Sequence, residues 1–258
     1  MKAVIIIPAR FNSSRFPGKP LIPLLGKPMI LWVAALSAKA IGKEFVFIAT
    51  DDERIAKVAE KEGFNVIITS NNAMTGTDRI AEAAKQIKAD IYLNVQGDEP
   101  LLDPNDILKI LEAKRVYNTA IINGYCEISA NENPDNINIP KLIFTEDKRL
   151  VYMSRKAIPG YKNNMNRPPV YYKQVCIYAY SYNDLSKYSA FGRKSILEQS
   201  EDIEILRFLE LGATIRMVET SGGSVAVDIP EDILAVEKIL KKNIYESRLA
   251  EKIQNVYF

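Results

Sequence analysis

Histidine is missing from all 258 residues. That absence removes Ser-His and Cys-His nucleophilic schemes, histidine-ligated zinc and a histidine general base. Any catalysis must use carboxylates, lysine, arginine, tyrosine or a metal held by oxygen, so positioning and charge neutralisation become the favoured mechanism. Cysteine is scarce as well. Cys126 and Cys176 stand far apart with no CxxC spacing, and they read as buried thiols of a reducing cytoplasm. No run approaches the roughly eighteen apolar residues of a membrane span, and the N-terminus reads as a core strand rather than a signal peptide. A formal charge of +2 gives no footprint for nucleic acid. What remains is ordinary for a globular chain, 47% hydrophobic and 26% charged, and long enough for one large core or one core with a smaller lobe.

The stretch from Val4 to Leu21 carries the most information. Val4-Ile5-Ile6-Ile7 is a short β-branched run suited to a strand buried on both faces. After Pro8 the character flips: Arg10, Ser13, Ser14, Arg15 and Lys19 crowd together around the bend at Pro17-Gly18. Such a loop is either a solvated basic segment or an anion site at the carboxyl end of an α/β strand. The apolar strand before it favours the second reading. Three fixed cations suit a polyanion, each meeting a separate phosphate oxygen.

Further along, strands and helices alternate. Helices are expected over Met29 to Ala40, from Glu53 to a stop at Gly63, over Arg79 to Ile87, and from Pro104, capped by Asp103, to about Tyr117. Strands are expected at Phe45 to Ala49, Asn65 to Thr69, Ile91 to Val95 and Thr119 to Cys126. This alternation calls for an α/β fold with a mostly parallel sheet and helices on both faces. Between about 129 and 170 the rhythm breaks into Asn- and Pro-rich sequence with short strands at Lys141 to Thr145 and Arg149 to Ser154. It reads as a β-rich excursion from the main sheet. Val175 to Tyr180 and Thr214 to Val218 return to strand, Glu201 to Leu211 reads as one helix ended by Gly212, and Ile233 to Ile253 as a long helix. The chain reads as a single domain with that insert.

Two acids stand out. Asn94-Val-Gln-Gly-Asp-Glu-Pro100 follows a strand and puts Asp98 at the same sheet edge as Arg10 and Lys19. A Gly-Asp turn explains it blandly, but a carboxylate beside a phosphate site needs a cation between them, and magnesium fills that role. Asp228, before Pro230, is by itself equally an adequate helix cap.

The segment PARFNSSRFPGKPL, with GKPMI after it and QGDEP later, resembles the 3-deoxy-manno-octulosonate (Kdo) cytidylyltransferases, within the wider CMP-sugar-acid cytidylyltransferases. The resemblance spans almost the whole chain. It implies a Rossmann-like nucleotidyltransferase sheet whose insert forms a homodimer arm. The implied reaction joins CTP to a 2-keto-3-deoxy sugar acid, giving the CMP-sugar and pyrophosphate for bacterial surface polysaccharide, lipopolysaccharide or capsule. It assigns Pro8, Ala9, Arg10, Ser13, Arg15 and Lys19 to the nucleotide and its phosphates, Thr75, Gly76 and Arg79 to the cytosine side, and Gln96 to nucleotide or acceptor. Asp98 and Asp228, the latter in VDIPEDI where the family has VDTPEDL, become ligands of Mg2+. Arg155 (in SRKAIP), Gln174, Tyr178 and Glu204 fall on acceptor-binding positions. Gln174 replaces a family histidine and Ile205 a family glutamine, which leaves a different acidic acceptor open: an amino-substituted Kdo, a nonulosonic acid or a phosphonate. A glycosyltransferase using a nucleotide-sugar, or a non-catalytic nucleotide-binding protein, are the rivals from other classes.

Overall fold

The computed structural model describes residues 1–12, 16–227 and 229–257, with side chains through residue 246. Ala3–Ala9 forms β1, in which successive side chains point to opposite faces. Val4 and Ile6 enter one core cluster, with Tyr92, Tyr178 and Phe208. Ile5 and Ile7 enter another, with Ile30, Val33 and Ile110. All four are fully buried, so the unbroken apolar run reflects a strand covered on both sides.

A small hairpin, β2 (Pro23–Leu24) and β3 (Lys27–Pro28), leads into α1 (Met29–Ile41), β4 (Val46–Thr50), α2 (Glu53–Lys61) and β5 (Asn65–Ile68). Then come α3 (Gly76–Ala84), β6 (Ile91–Val95), α4 (Pro104–Val116) and β7 (Ile121–Glu127). The insert supplies β8 (Lys141–Phe144) and β9 (Leu150–Ser154) before β10 (Tyr172–Tyr180). The chain finishes with α5 (Tyr182–Ala190), α6 (Ile196–Glu201), α7 (Ile205–Glu210), β11 (Ile215–Glu219) and α8 (Asp232–Tyr257).

The sheet runs β11-β7-β10-β6-β1-β4-β5. Its neighbours are parallel except β10, which is antiparallel to both β6 and β7. Residues of α1, α2 and α4 pack on one face, and those of α3, α5 and α7 on the other. No helix among the described residues is long and apolar enough to cross a membrane. Both cysteines are free thiols, Cys126 buried and Cys176 half-buried.

Two expectations need correction. The helix expected to run to Ile87 stops at Ala84, and it starts at Gly76 with Thr75 as its cap, which accepts from the Asp78 N–H at 3.1 Å. The helix expected over 201–211 begins only at Ile205, as α7, because Asp202, at φ 50°, ends a separate helix, α6. In the insert β8 pairs with both β9 and β10, off the main path of the sheet. Two helices, α5 and α6, were missed. The start of α5 carries a capping box in which Ser181 and Asp184 bond reciprocally.

Candidate active site

β1, β4, β5 and β6 are parallel, so their carboxyl ends lie on one side, and the loops after β1, β5 and β6 frame a cleft of about 290 Å³. Pro8, Ala9, Arg10, Lys19, Thr75, Gly76, Arg79, Gln96, Asp98 and Glu204 all line it. Of the other expected site residues, Ser13, Arg15 and Asp228 lie outside the described residues, whereas Arg155, Gln174 and Tyr178 are not in the lining.

Backbone geometry sets the cationic rim. The Gly18 N–H donates to the Phe11 carbonyl at 2.8 Å and closes the loop after β1. At φ 74°, with a would-be Cβ only 3.2 Å from the Phe11 ring, position 18 suits glycine alone. The chain then turns through Lys19–Leu21, with Pro20 in the first turn. The Lys19 Nζ thereby reaches the Asp98 carboxylate at 2.6 Å, 79 residues away. Asp98 is positioned by the turn after β6, where Gly97 passes so close to β1 that a Cβ would lie 3.0 Å from the Pro8 carbonyl.

The last third of the chain closes on the same turn. The Val227 N–H donates to the Asp98 carbonyl at 3.0 Å, and the Ser224 hydroxyl donates to Glu99. Val227, with Leu24, Met29, Val236 and Leu240, forms a small cluster that seats α8 beside β2. There Glu237 accepts from the Leu25 N–H at 2.7 Å.

Asp98 is a hard oxygen donor, and only one or two protein carboxylates are needed when phosphate oxygens and water complete a magnesium shell. No group of three metal-binding side chains occurs among the described residues. The Asp98 carboxylate fits an ion held in part by phosphate oxygens.

Several of the other expected site residues also make contacts within the fold. The Arg79 guanidinium borders the cleft but bonds to Thr69 Oγ1 (2.5 Å) and Asp51 Oδ2 (3.0 Å), tying the ends of β4 and β5 to α3. Arg155 spreads its fork over three backbone carbonyls, those of Ile137, Glu201 and Asp202. Two of these are carbonyls at the end of α6, so Arg155 caps that helix. Gln174 donates to Asn123 Oδ1 at 3.0 Å, and Tyr178 stacks on Tyr180 in the core. Ile205 is buried in that same core.

Glu204 does face the cleft, with its carboxylate on the first free N–H groups of α3: Gly76 at 3.1 Å and Thr77 at 2.8 Å. Burial pushes its carboxyl above the usual glutamate range, against the pull of Thr77 and Gly76. Sequence reasoning missed Lys194, Glu198 and Asp202, which line the same end of the cleft. The Ser195-x-x-Glu198 capping box was the available signal for the helix that presents them.

The insert is latched to this end through Glu201, which accepts from the Arg155 N–H (2.8 Å), the Ser154 hydroxyl (2.7 Å) and the Tyr152 hydroxyl (3.3 Å). Burial alone would raise its carboxyl, but these bonds outweigh it and leave it below the usual glutamate range. Its stabilisation is thus present above the ordinary glutamate range and lost as pH falls through the lowered value. Glu201→Gln is expected to cost about 1–2 kcal/mol at neutral pH, after discounting for partial exposure. In thermal melts across pH, that deficit should shrink below about pH 4. A deficit independent of pH would contradict the latch.

The cytidylyltransferase family model matches residues 4–215. The Escherichia coli 3-deoxy-manno-octulosonate cytidylyltransferase is 37% identical over 247 residues, covering 95% of this chain and 99% of that protein. The 8-amino-3,8-dideoxy-manno-octulosonate cytidylyltransferase of Shewanella amazonensis is 40% identical over 250 residues, covering 93% and 99%. A solved structure of CMP:2-keto-3-deoxy-manno-octonic acid synthetase complexed with CTP superposes at a TM-score of 0.87 with 36% identity, covering 94% of this chain and all of that one. HddC from Yersinia pseudotuberculosis, at 16% identity and a TM-score of 0.68, shares the fold alone. By sequence and by fold, this chain belongs to the cytidylyltransferase family.

Proposed function

We propose that the chain transfers CMP from CTP to an eight-carbon 2-keto-3-deoxy sugar acid, either Kdo or its 8-amino relative, with release of pyrophosphate. The observation that carries this reading is the Lys19–Asp98 pair at the cleft rim, a cation and an acid brought together from distant parts of the chain. An anomeric hydroxyl of the acceptor attacks the α-phosphorus in line, and the P–O bond to pyrophosphate breaks opposite. The hydroxyl proton passes to water, and no covalent enzyme intermediate is needed. Arg10 and Lys19 hold the leaving phosphates, where preorganised positive charge counts most. Asp98, with Asp228, would hold Mg2+, which when bound supplies further charge neutralisation on the phosphate oxygens. The wall formed by Thr75, Gly76 and Gln96 borders the nucleotide, and the Glu204 end borders the acceptor.

Support for the acceptor class comes from the relatives, one named for each of the two octulosonates. The departures at Gln174 and Ile205 keep the 8-amino acceptor in view beside Kdo. A panel of Kdo, 8-amino-Kdo and a nonulosonic acid, assayed for CTP-dependent pyrophosphate release, tests the reading. We expect turnover with one of the first two at least tenfold above the third. CTP binding without turnover on any acid would defeat it.

The insert exposes Ile137, Val151, Tyr161 and Met165, the last 92% exposed, and these apolar side chains support a homodimer arm. Two free thiols fit a cytoplasmic setting.

A further inference from the structure

We propose that Arg207 is a positioning residue that fixes the nucleotide wall of the cleft against the acceptor wall. The inference rests on the reading above and extends it to a residue that touches no substrate. Arg207 is fully buried on α7, behind the cleft lining. Its Nε and Nη2 grip the two Glu198 oxygens at 2.6 and 2.7 Å. Nη1 and Nη2 meet the Asp78 oxygens at 3.0 and 3.3 Å, and the guanidinium lies 3.7 Å over the Tyr188 ring.

One planar fork thus holds two carboxylates from different elements, each bidentately. Asp78 belongs to the first turn of α3 and accepts a hydrogen bond from the Thr75 hydroxyl at 2.8 Å, and Thr75 lines the nucleotide side. Glu198 also lines the cleft and belongs to α6, between Lys194 and Asp202 in the chain. Tyr188 of α5 completes the frame: its hydroxyl lies 3.2 Å from Thr75 Oγ1 and donates to Glu198 at 3.2 Å. α7 itself is tied to α3 a second time, through Glu204 on the Gly76 and Thr77 N–H groups. Every connection between α3 and α6 in this frame passes through Arg207 or Tyr188. Two ordinary core helices need no such device, since apolar packing suffices to hold them.

In-line transfer depends on holding two substrates at a fixed separation, and a misplacement of about 1 Å can cost on the order of a hundredfold in rate. Arg207→Lys keeps a positive charge but cannot serve two carboxylates bidentately. A structural control lies outside the cleft lining. Lys114 is equally buried, donates to the Asn118 and Ala120 carbonyls at 3.0 and 2.6 Å, and pairs with Asp184 at 3.5 Å.

The test compares Arg207→Lys and Lys114→Met in the full chain. It reads thermal midpoint, the Kd for CTP with Mg2+ but no acceptor, and kcat and KM for both substrates. Both variants should melt earlier. Only Arg207→Lys should weaken CTP binding, and raise KM for both substrates, by about tenfold or more, while Lys114→Met keeps wild-type constants per folded molecule. If Arg207→Lys cannot be purified, Asp78→Asn should show the same split. The proposal is overturned if the CTP Kd and both KM values of Arg207→Lys stay within twofold of wild type. The CTP titration needs no acceptor, so it decides this point even if the acceptor panel fails.

Discussion

Lys19→Ala should lower kcat by about two to three orders of magnitude while shifting the melting midpoint by only a few degrees. The lysine is mostly buried at the rim, 16% exposed, and its Nζ sits 2.6 Å from Asp98. Losing a preorganised cation at a departing phosphate costs roughly 10²–10³ in rate, by analogy with single donors at other developing charges. The pair itself stabilises the fold little, because an ion pair with access to water contributes about 0–1 kcal/mol. In a chain of this length the upper limit corresponds to about 2–4 °C. Steady-state kinetics beside a melt separates the two effects. Wild-type turnover in Lys19→Ala would remove the phosphate role.

Asp98→Asn is expected to be more severe, a loss of about a thousandfold or more, and its binding signature should be opposite in sign. Asparagine keeps the shape of the side chain and removes its charge. Without metal, Asp98 repels a triphosphate held by the neighbouring Lys19. Lifting that repulsion at this partly exposed rim is worth about 1 kcal/mol, so metal-free CTP should bind about fivefold tighter to the variant. With Mg2+ the order reverses, because the carboxylate that would hold the ion is gone. Calorimetric titration of CTP with and without Mg2+ reads both. Equal strengthening of CTP binding by Mg2+ in wild type and Asp98→Asn would exclude Asp98 as a ligand.

The parts of the fold that were legible in sequence are those set by local chemistry. β1 announced itself because a strand covered on both faces must be apolar at every position, and Asp103-Pro104 marked the start of α4 because capping acts over three residues. The Lys19–Asp98 meeting was legible for a topological reason, since both follow parallel strands of one sheet.

What was not legible depended on how remote elements met. Arg155 has the same side chain whether it clamps a substrate or caps a helix. It caps because Asp202 turns left-handed and frees two carbonyls beside it. Glu204 looked like a cleft residue in sequence and is one, yet its carboxylate is spent on α3. Arg207 read as one more polar residue of a helix, and only the convergence of α3, α5, α6 and α7 buries it between Asp78 and Glu198. α6, which carries Glu198, was not expected at all, and the left-handed Asp202 between α6 and α7 is what lets Glu198 and Arg207 turn toward each other.

The central claim is that the carboxyl edge of β1 and β6 holds a CTP triphosphate, with cations on its oxygens and Asp98 on its metal ion. An experimental structure with CTP and Mg2+ bound tests it most directly. The account predicts the β- and γ-phosphates within hydrogen-bond reach of Lys19 and Arg10, and an ion within about 2.1 Å of an Asp98 oxygen. Phosphates bound away from this edge, with the Lys19–Asp98 pair intact and no ion on Asp98, would contradict it.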